Sequence, residues 1–480
     1  MHQQLQFIAL AIFLCSGTLS VKLQDVVAGE SDGTMVTMTT PSVGRYNVAA
    51  ANPDAYVRFT MAKGCYDLTP FAYLRMRAWA PSGVEFTIDL RQGFPDCRLD
   101  AWPYVEKSAS ALISHYTQKG AFDGSPDGQL VYIPLSHFDV DMSKIIQVYV
   151  SHFYTLPAIP GAVTSASFGD IEFTNEAPTT PSPNKMAQNP TASSCLEPYT
   201  FAVTFDNQYS GNIDRILNVL AKENAKCTIF QIGGELKEND TAMKRAVKEG
   251  HQVAAHSWTH PDFDILMEPE IRKEMDLTDQ VMRKILGIET KWFRPPFGHQ
   301  DPRVRGILNQ MGYVSIIWDI DSTDAFNKEN APQIWNRIQA RIDRMIPSRA
   351  GGVLLLHNDI NASADIVEQA IQYAKSKGFT KFVTVESCMN GKFDAYLGKS
   401  ATTTSNVAPS TRASPKAASV ASSSSTPTPQ AAMNNANGAT VPSNGEVQKE
   451  IAGQTSGAVM ATSAIFIAML IWMVIPARID

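Results

Sequence analysis

The chain has 480 residues with 44% hydrophobic content, more than one core can use, because single cores stop growing near roughly 250 to 300 residues. Two ordinary domains plus tails are therefore expected. The formal net charge of -6 is small for this length, and no Lys/Arg cluster offers a counterion-releasing surface, which excludes a nucleic-acid partner.

Residues 1–20 read as a signal peptide. An apolar run from Leu5 to Cys15 is followed by small residues, with Thr18 and Ser20 placed for cleavage. From 26 to 176, short alternating or β-branched runs (TMVTM, AYVRFTM, EFTIDL, LVYIPL, QVYVSHFY, SFGDIEF) are separated by Gly, Pro, Asp and Ser. That is the pattern of an antiparallel, jelly-roll-like β-sandwich. It is a candidate carbohydrate-binding module if Trp79, Trp102, Tyr104 or Tyr154 stack on sugar rings, although such aromatics are as readily core residues. Residues 177–194 are so rich in Pro, Ser and Thr that they are expected to form an unpacked linker.

The segment 195–397 alternates apolar runs with helix-period stretches. Strand candidates are 201–205, 227–232, 251–255, 291–294, 314–320, 353–356 and 382–385. Ile213, Ile216, Leu217 and Leu220 form one apolar stripe at helical spacing, and similar stripes fit 268–287, 331–346 and 364–377. Seven strand-helix alternations imply an α/β fold with a parallel sheet, closed as a barrel with about one unit fewer than a TIM barrel. Residues 398–456 hold almost no core-forming material and are expected to be an O-glycosylated stalk. A hydrophobic C-terminal signal follows at 457–480, with an almost wholly apolar run over 458–477. Ser443, Asn444 and Gly445 lie at the spacing of a GPI attachment signal, with Ser443 the candidate attachment residue, and a single-pass anchor is the alternative. Either tether places the protein outside the cell, at the plasma membrane or cell wall.

In that setting the cysteines read as disulfides. Cys65 with Cys97 would close a loop in the sandwich, and Cys195 with Cys388 would bracket the central region. Cys227, in an apolar stretch, is expected to be a buried free thiol. Asn239 and Asn361 begin glycosylation sequons and should be surface positions if occupied.

Polar residues collect at the ends of the central strands: Asp206 and Asn207 after the first, His256 and His260 (HSWTH, which also contains Trp258) after the third, Arg294 (RPPFG) after the fourth. Asp324 follows the fifth and His357 the sixth. Five strands thus deliver reactive side chains to one rim, as catalytic residues do in barrel enzymes. Two histidines four apart with an oxygen ligand can hold a divalent metal with an open position. A carboxylate such as Asp206 can then deprotonate a water attacking a carbonyl carbon while His357 protonates the leaving amine. That chemistry is amide hydrolysis. HxxxH alone is a weak signal, and the ordered co-occurrence of the other residues carries the reading.

These motifs resemble the NodB-homology polysaccharide deacetylases, carbohydrate esterase family four, and among them the fungal GPI-anchored chitin deacetylases. TFDN is similar to the family's TFDD, HSWTH to H[S/T]xxH, RPPFG to RPPYG, DSTDA to DxxDW and LLLHN to the LxH motif. The resemblance implies a distorted (β/α)7-type barrel that binds zinc or another divalent metal such as cobalt. It assigns Asp206 as base, His357 as acid, His256, His260 and Asn207 as metal ligands, Arg294 as orienting Asp206, and Asp324 as tuning His357. Substrate contacts fall to the Phe297 backbone N–H, Leu355 as lining for the acetyl methyl, and Trp258. Cys195 and Cys388 fall where fungal members carry a clasp disulfide. The substrate implied is chitin or another N-acetylglucosamine polymer. Three positions depart from the pattern: Asn207 replaces Asp, Ala325 replaces Trp, and Phe297 replaces Tyr. The Asn207 change, which removes a ligand charge, leaves a second reading open: a surface glycan-binding protein that keeps the groove without the metal. Action on another acetylated polysaccharide is a third.

Overall fold

The computed structural model describes residues 20–23, 29–31, 35–61, 64–99, 105–159, 162–208, 210–328, 330–394 and 397. Most of the expected leader, Trp102, Tyr104, the stalk, Ser443 and the apolar run at 457–480 lie outside them. Among the described residues, no helix is long and apolar enough to cross a membrane.

The N-terminal region contains two antiparallel sheets. One orders Met35–Ser42, Arg45–Ala50, Thr164–Thr174, Tyr73–Trp79 and Gln129–Pro134, with Ser20–Lys22 also paired to Thr164–Thr174. The other orders Glu30–Ser31, Val57–Thr60, Ile145–Thr155, Val84–Gly93 and Val105–Leu112. Alternation in the sequence explains the packing, since Tyr46, Val48 and Ala50 turn inward from Arg45–Ala50 while their neighbours do not. The inward residues meet Phe59, Phe86, Phe153 and Phe168 in one core. Tyr154 is among the buried residues, 2% exposed, and its hydroxyl donates to Asp301, so it is no sugar platform. Trp79 is half-buried beneath the Arg45 guanidinium, 4.0 Å from the ring centre.

The segment expected to be an unpacked linker has no regular structure or buried residue over 177–188, but its last residues pack against the barrel. Asn189 is fully buried, its N–H donates to the Arg305 carbonyl, and Thr191–Ala192 (β1) joins the parallel sheet. Backbone pairing compensates for a composition poor in core residues.

The parallel sheet continues with Thr200–Asn207 (β2), Cys227–Gln231 (β3), Gln252–Ala255 (β4), Trp292–Phe293 (β5), Val314–Ile316 (β6), Ile320–Asp321 (β7), Gly352–His357 (β8) and Lys381–Phe382 (β9). Its order is β1-β6-β5-β4-β3-β2-β8-β7, with β9 on β2. The sheet curls into a half-barrel whose ends, β1 and β7, are not paired to each other. Helices Ile213–Lys222 (α1), Asp240–Lys248 (α2), Glu268–Leu286 (α3), Pro302–Gln310 (α4), Ala331–Met345 (α5), Asn361–Ser376 (α6) and Val385–Cys388 (α7) follow the strands. The apolar stripe of α1 is fully buried. Three expected strands are markedly shorter than their sequence patterns: 291–294 is reduced to β5, 314–320 breaks into β6 and β7 around Ile317 to Asp319, and 382–385 ends where Thr384 caps α7 through its side chain. Cys65–Cys97 and Cys195–Cys388 are disulfides, and Cys227 is free and buried.

Candidate active site

Register in the parallel sheet places the reactive residues side by side. Asp206 on β2 is opposite His357 on β8, and Asn207 is opposite Gln231 on β3. His256 follows β4, and Arg294 follows β5.

Arg294 is fully buried. Its Nη1 donates to Asp206 Oδ1 at 2.7 Å, and Nε donates to the Ile316 carbonyl at 3.1 Å. The guanidinium lies 4.1 Å from the Phe230 ring centre and 5.4 Å from that of Trp318. Burial alone would raise the Asp206 carboxyl, but Arg294, His256 and His357 hold it below its ordinary value. Asp206 is thus kept ionised.

His256 Nδ1 lies 2.8 Å from the Arg294 carbonyl. A carbonyl only accepts, so Nδ1 carries the proton and Nε2, 3.5 Å from Asp206 Oδ2, presents a lone pair. Burial lowers the His256 pKa to about 4, so the ring is neutral. His260 stacks edge-on against it with ring centres 4.8 Å apart, and its N–H donates to Ser257 Oγ at 2.9 Å. Ser257 and His260 both have positive φ, +64° and +59°, in a turn held from α3. Glu274 there accepts the N–H groups of Trp258 and Thr259, each at 2.8 Å. Local strain of this kind persists only where the surroundings over-determine it.

Asn207 is fully buried. Its amide donates to Gln231 Oε1, and its Oδ1 is buried with no hydrogen-bond partner. On the opposite side, His357 Nδ1 lies 2.8 Å from Asp324 Oδ1, while Asp324 Oδ2 accepts the His357 N–H at 2.7 Å and the Ser363 hydroxyl at 2.5 Å. Burial alone would lower the His357 pKa, but the hydrogen bond and charge of Asp324 push it up to about 9. His357 is therefore a protonated acid at neutral pH. Asp324 is correspondingly held below its ordinary value by His357, against its own burial.

Phe297, at φ +59°, exposes 59% of its surface and touches the His260 ring, with centres 4.8 Å apart. Leu355 is buried on β8, and Trp258 is half-buried against Gly233, where a Cβ would come within 3.0 Å of its ring. Contacts thus link Asp206, His256, His260 and Arg294 on one side and Asp324 with His357 on the other. Sequence reasoning missed Gln231, Glu274, Trp318 and Ser363, which act through contacts far apart in the chain and leave no local pattern. Two glycosylation expectations diverge: Asn361 is exposed, whereas Asn239 is buried with its amide toward Gln231, so the folded chain cannot present that sequon.

Comparison with known proteins follows the same lines. Residues 194–316 match the polysaccharide deacetylase family model. An uncharacterised 30.6 kDa protein of Geobacillus stearothermophilus is 35% identical over 180 residues, covering 37% of this chain and 66% of that one. A chitin deacetylase of Amylomyces rouxii is 26% identical over 219 residues, covering 45% and 52%. The solved chitin deacetylase of Colletotrichum lindemuthianum is 22% identical with a TM-score of 0.40, covering 42% of this chain and 92% of that one. The chain spans between about half and two thirds of the length of these curated relatives. It carries a polysaccharide deacetylase domain of the NodB-homology, carbohydrate esterase family four kind.

Proposed function

We propose that the chain hydrolyses N-acetyl groups on an N-acetylglucosamine polysaccharide of the chitin type, at the cell surface. The observation that carries the reading is the pairing of an ionised carboxylate, Asp206, with a protonated imidazole, His357, on adjacent strands. Opposed protonation states at one site are what an acid-base hydrolase needs.

The residues also fit the divalent cation that the family implies. His256 Nε2 is free of its proton, His260 lies beside it, and the orphaned Asn207 Oδ1 is a buried polar atom that a cation would satisfy. Zinc or cobalt held by these three would supply the Lewis acidity that draws the pKa of a water toward neutral. Asp206, fixed by Arg294, takes the proton of the attacking water as its oxygen adds to the acetamide carbon. His357 gives its Nε2 proton to the departing amine nitrogen, so acetate and a free amine result. The backbone N–H of Phe297, whose ring touches that of His260, would hold the developing oxyanion, as the family resemblance implies. Exposed aromatic rings at Phe297 and Phe326, the latter 88% exposed and next to Ala325, offer stacking faces for sugars where the family's Trp is missing.

A leader, a Ser/Thr-rich stalk and a GPI signal would place this activity outside the plasma membrane, facing the wall polymer. Release of the protein from cells by a phosphatidylinositol-specific phospholipase tests that placement, and retention would leave the single-pass anchor. Asn207 favours one second reading, glycan binding with metal too weakly held for turnover. Metal content and acetate release from chitin oligomers, compared between wild type and Asn207→Asp, decide between them. Measurable acetate from the wild type, rising in the variant, is expected. Binding of oligomers with no acetate from the zinc-loaded wild type would leave the glycan-binding reading alone.

A further inference from the structure

A second group of ligand-type side chains lies away from the rim, where the sandwich meets the barrel. From the barrel, Asp262, Asp264 and His299 bring two carboxylate oxygens and a ring nitrogen within 4.8 Å of one another. From the sandwich, His152 Nε2 comes within 3.6 Å of Asp264 Oδ2.

The individual contacts go beyond ordinary ion pairing. Asp264 is fully buried. Its Oδ1 accepts the Asp301 N–H at 2.8 Å, while Oδ2, facing the cluster, is buried with no hydrogen-bond partner. A carboxylate oxygen left in that state is costly to a fold. His152 sits at φ +56° where the pairing of its strand shifts register, a bulge that re-aims its side chain. Its Nδ1 lies 3.1 Å from Thr87 Oγ1 and 3.0 Å from Ser151 Oγ. Hydroxyls accepting at Nδ1 leave the lone pair on Nε2, the atom turned to Asp264. His299 differs in that both nitrogens donate to carboxylates, Nε2 2.7 Å from Asp54 Oδ1 and Nδ1 2.9 Å from Asp262 Oδ2, so that only the loss of the Nδ1 proton would free a lone pair toward the cluster. Asp262 Oδ1 is already occupied, accepting the Asp264 N–H at 3.0 Å. A histidine fixed through one nitrogen, with the other turned to carboxylates, is the outer-shell arrangement of metal-binding imidazoles.

We propose that His152, Asp262, Asp264 and His299 form a second, structural site for a zinc-class divalent cation that staples the sandwich to the barrel. Four N and O donors around zinc at roughly 2.0 to 2.2 Å lie about 3.3 to 3.5 Å apart. The His152–Asp264 and Asp262–His299 separations are 3.6 and 2.9 Å, and His152, which stands outside the three residues whose ligand atoms lie within 4.8 Å of one another, would draw in toward the other two on binding. Two neutral imidazoles and two carboxylates balance a dication. Loading displaces the proton on His299 Nδ1 and any proton held by the Asp264 carboxyl, while Nε2–H goes on donating to Asp54. Asp262 is two residues from His260 and His299 two from Phe297, so the same cation would steady both loops of the rim.

The test uses the full chain carrying His256→Gln and His260→Gln, which removes the rim imidazoles, equilibrated with zinc alone. One tightly held equivalent by elemental analysis is expected, with the visible absorption of a tetrahedral centre when cobalt is substituted. Adding His152→Gln, at a side chain 26% exposed, should remove that equivalent and the zinc-dependent rise in Tm, and Asp264→Asn should do the same. No zinc on the rim-deficient protein would overturn the proposal, as would retention of zinc through both further substitutions. Failure of the rim site reads differently: the wild type would then hold one equivalent that survives loss of His256 and His260.

Discussion

Rim and junction each bury an aspartate, and the two carboxyl groups stand on opposite sides of their ordinary value. Asp206, 6% exposed, is held low chiefly by the Arg294 guanidinium that donates to it, with the neighbouring His256 and His357 rings adding to the effect, outweighing burial. Asp264, wholly buried, is pushed up to about 7, first by burial and then by the charge of Asp301, with His152 as the counterweight. Depth alone therefore does not decide whether a buried acid is ionised; the charge arranged around it does.

The sharpest way to break that contrast is Asp206→Asn, which keeps the shape and removes the base. Acetate release should fall about 10² to 10⁴-fold with little change in zinc content, and an unchanged rate would remove Asp206 from the chemistry. Next comes Arg294→Met. It strips the partner and leaves a buried charge, so stability by urea titration should drop by about 3 to 5 kcal/mol. A smaller effect follows from Asp324→Asn. His357 titrates near 9, above its ordinary value, so its folded-state contribution to stability is fully present below about pH 6.5 and is lost as pH rises through about 9. The alkaline limb of activity should follow the same group. In the Asn variant that limb should move down by one to two pH units, and an unmoved limb would assign the acid elsewhere. The smallest change expected is from Phe326→Ala: a several-fold rise in KM on chitin oligomers at nearly constant kcat, in keeping with about 0.5 to 1.5 kcal/mol for one aromatic contact.

Much of the rim was legible because a parallel sheet places the ends of its strands at one face, so that short motifs spaced far apart in the chain meet there. Asp206, His256, Arg294 and His357 needed only the strand assignments to be brought together. Gln231 and Ser363 had no such signal: each is defined by a partner that folding supplies, Asn207 and Asp324 respectively. The fold was read in the same proportion. Long amphipathic helices such as α3 and α5 were visible in their stripes, whereas α2 and α4, nine residues each, are too short for periodicity to separate from loop. Only the end of the linker escaped the composition, because Pro and Ser content says nothing about backbone pairing, and Thr191–Ala192 adds to the sheet through main-chain atoms. The sequon at Asn239 misled likewise, since a three-residue pattern carries no information on depth.

The Cys195–Cys388 bond joins positions 193 residues apart, just before the second strand of the barrel and at the end of its last helix. A protease that nicks any loop between them leaves two pieces that still migrate as one under non-reducing electrophoresis and part only with a thiol. For this chain, a cut backbone need not mean a lost molecule.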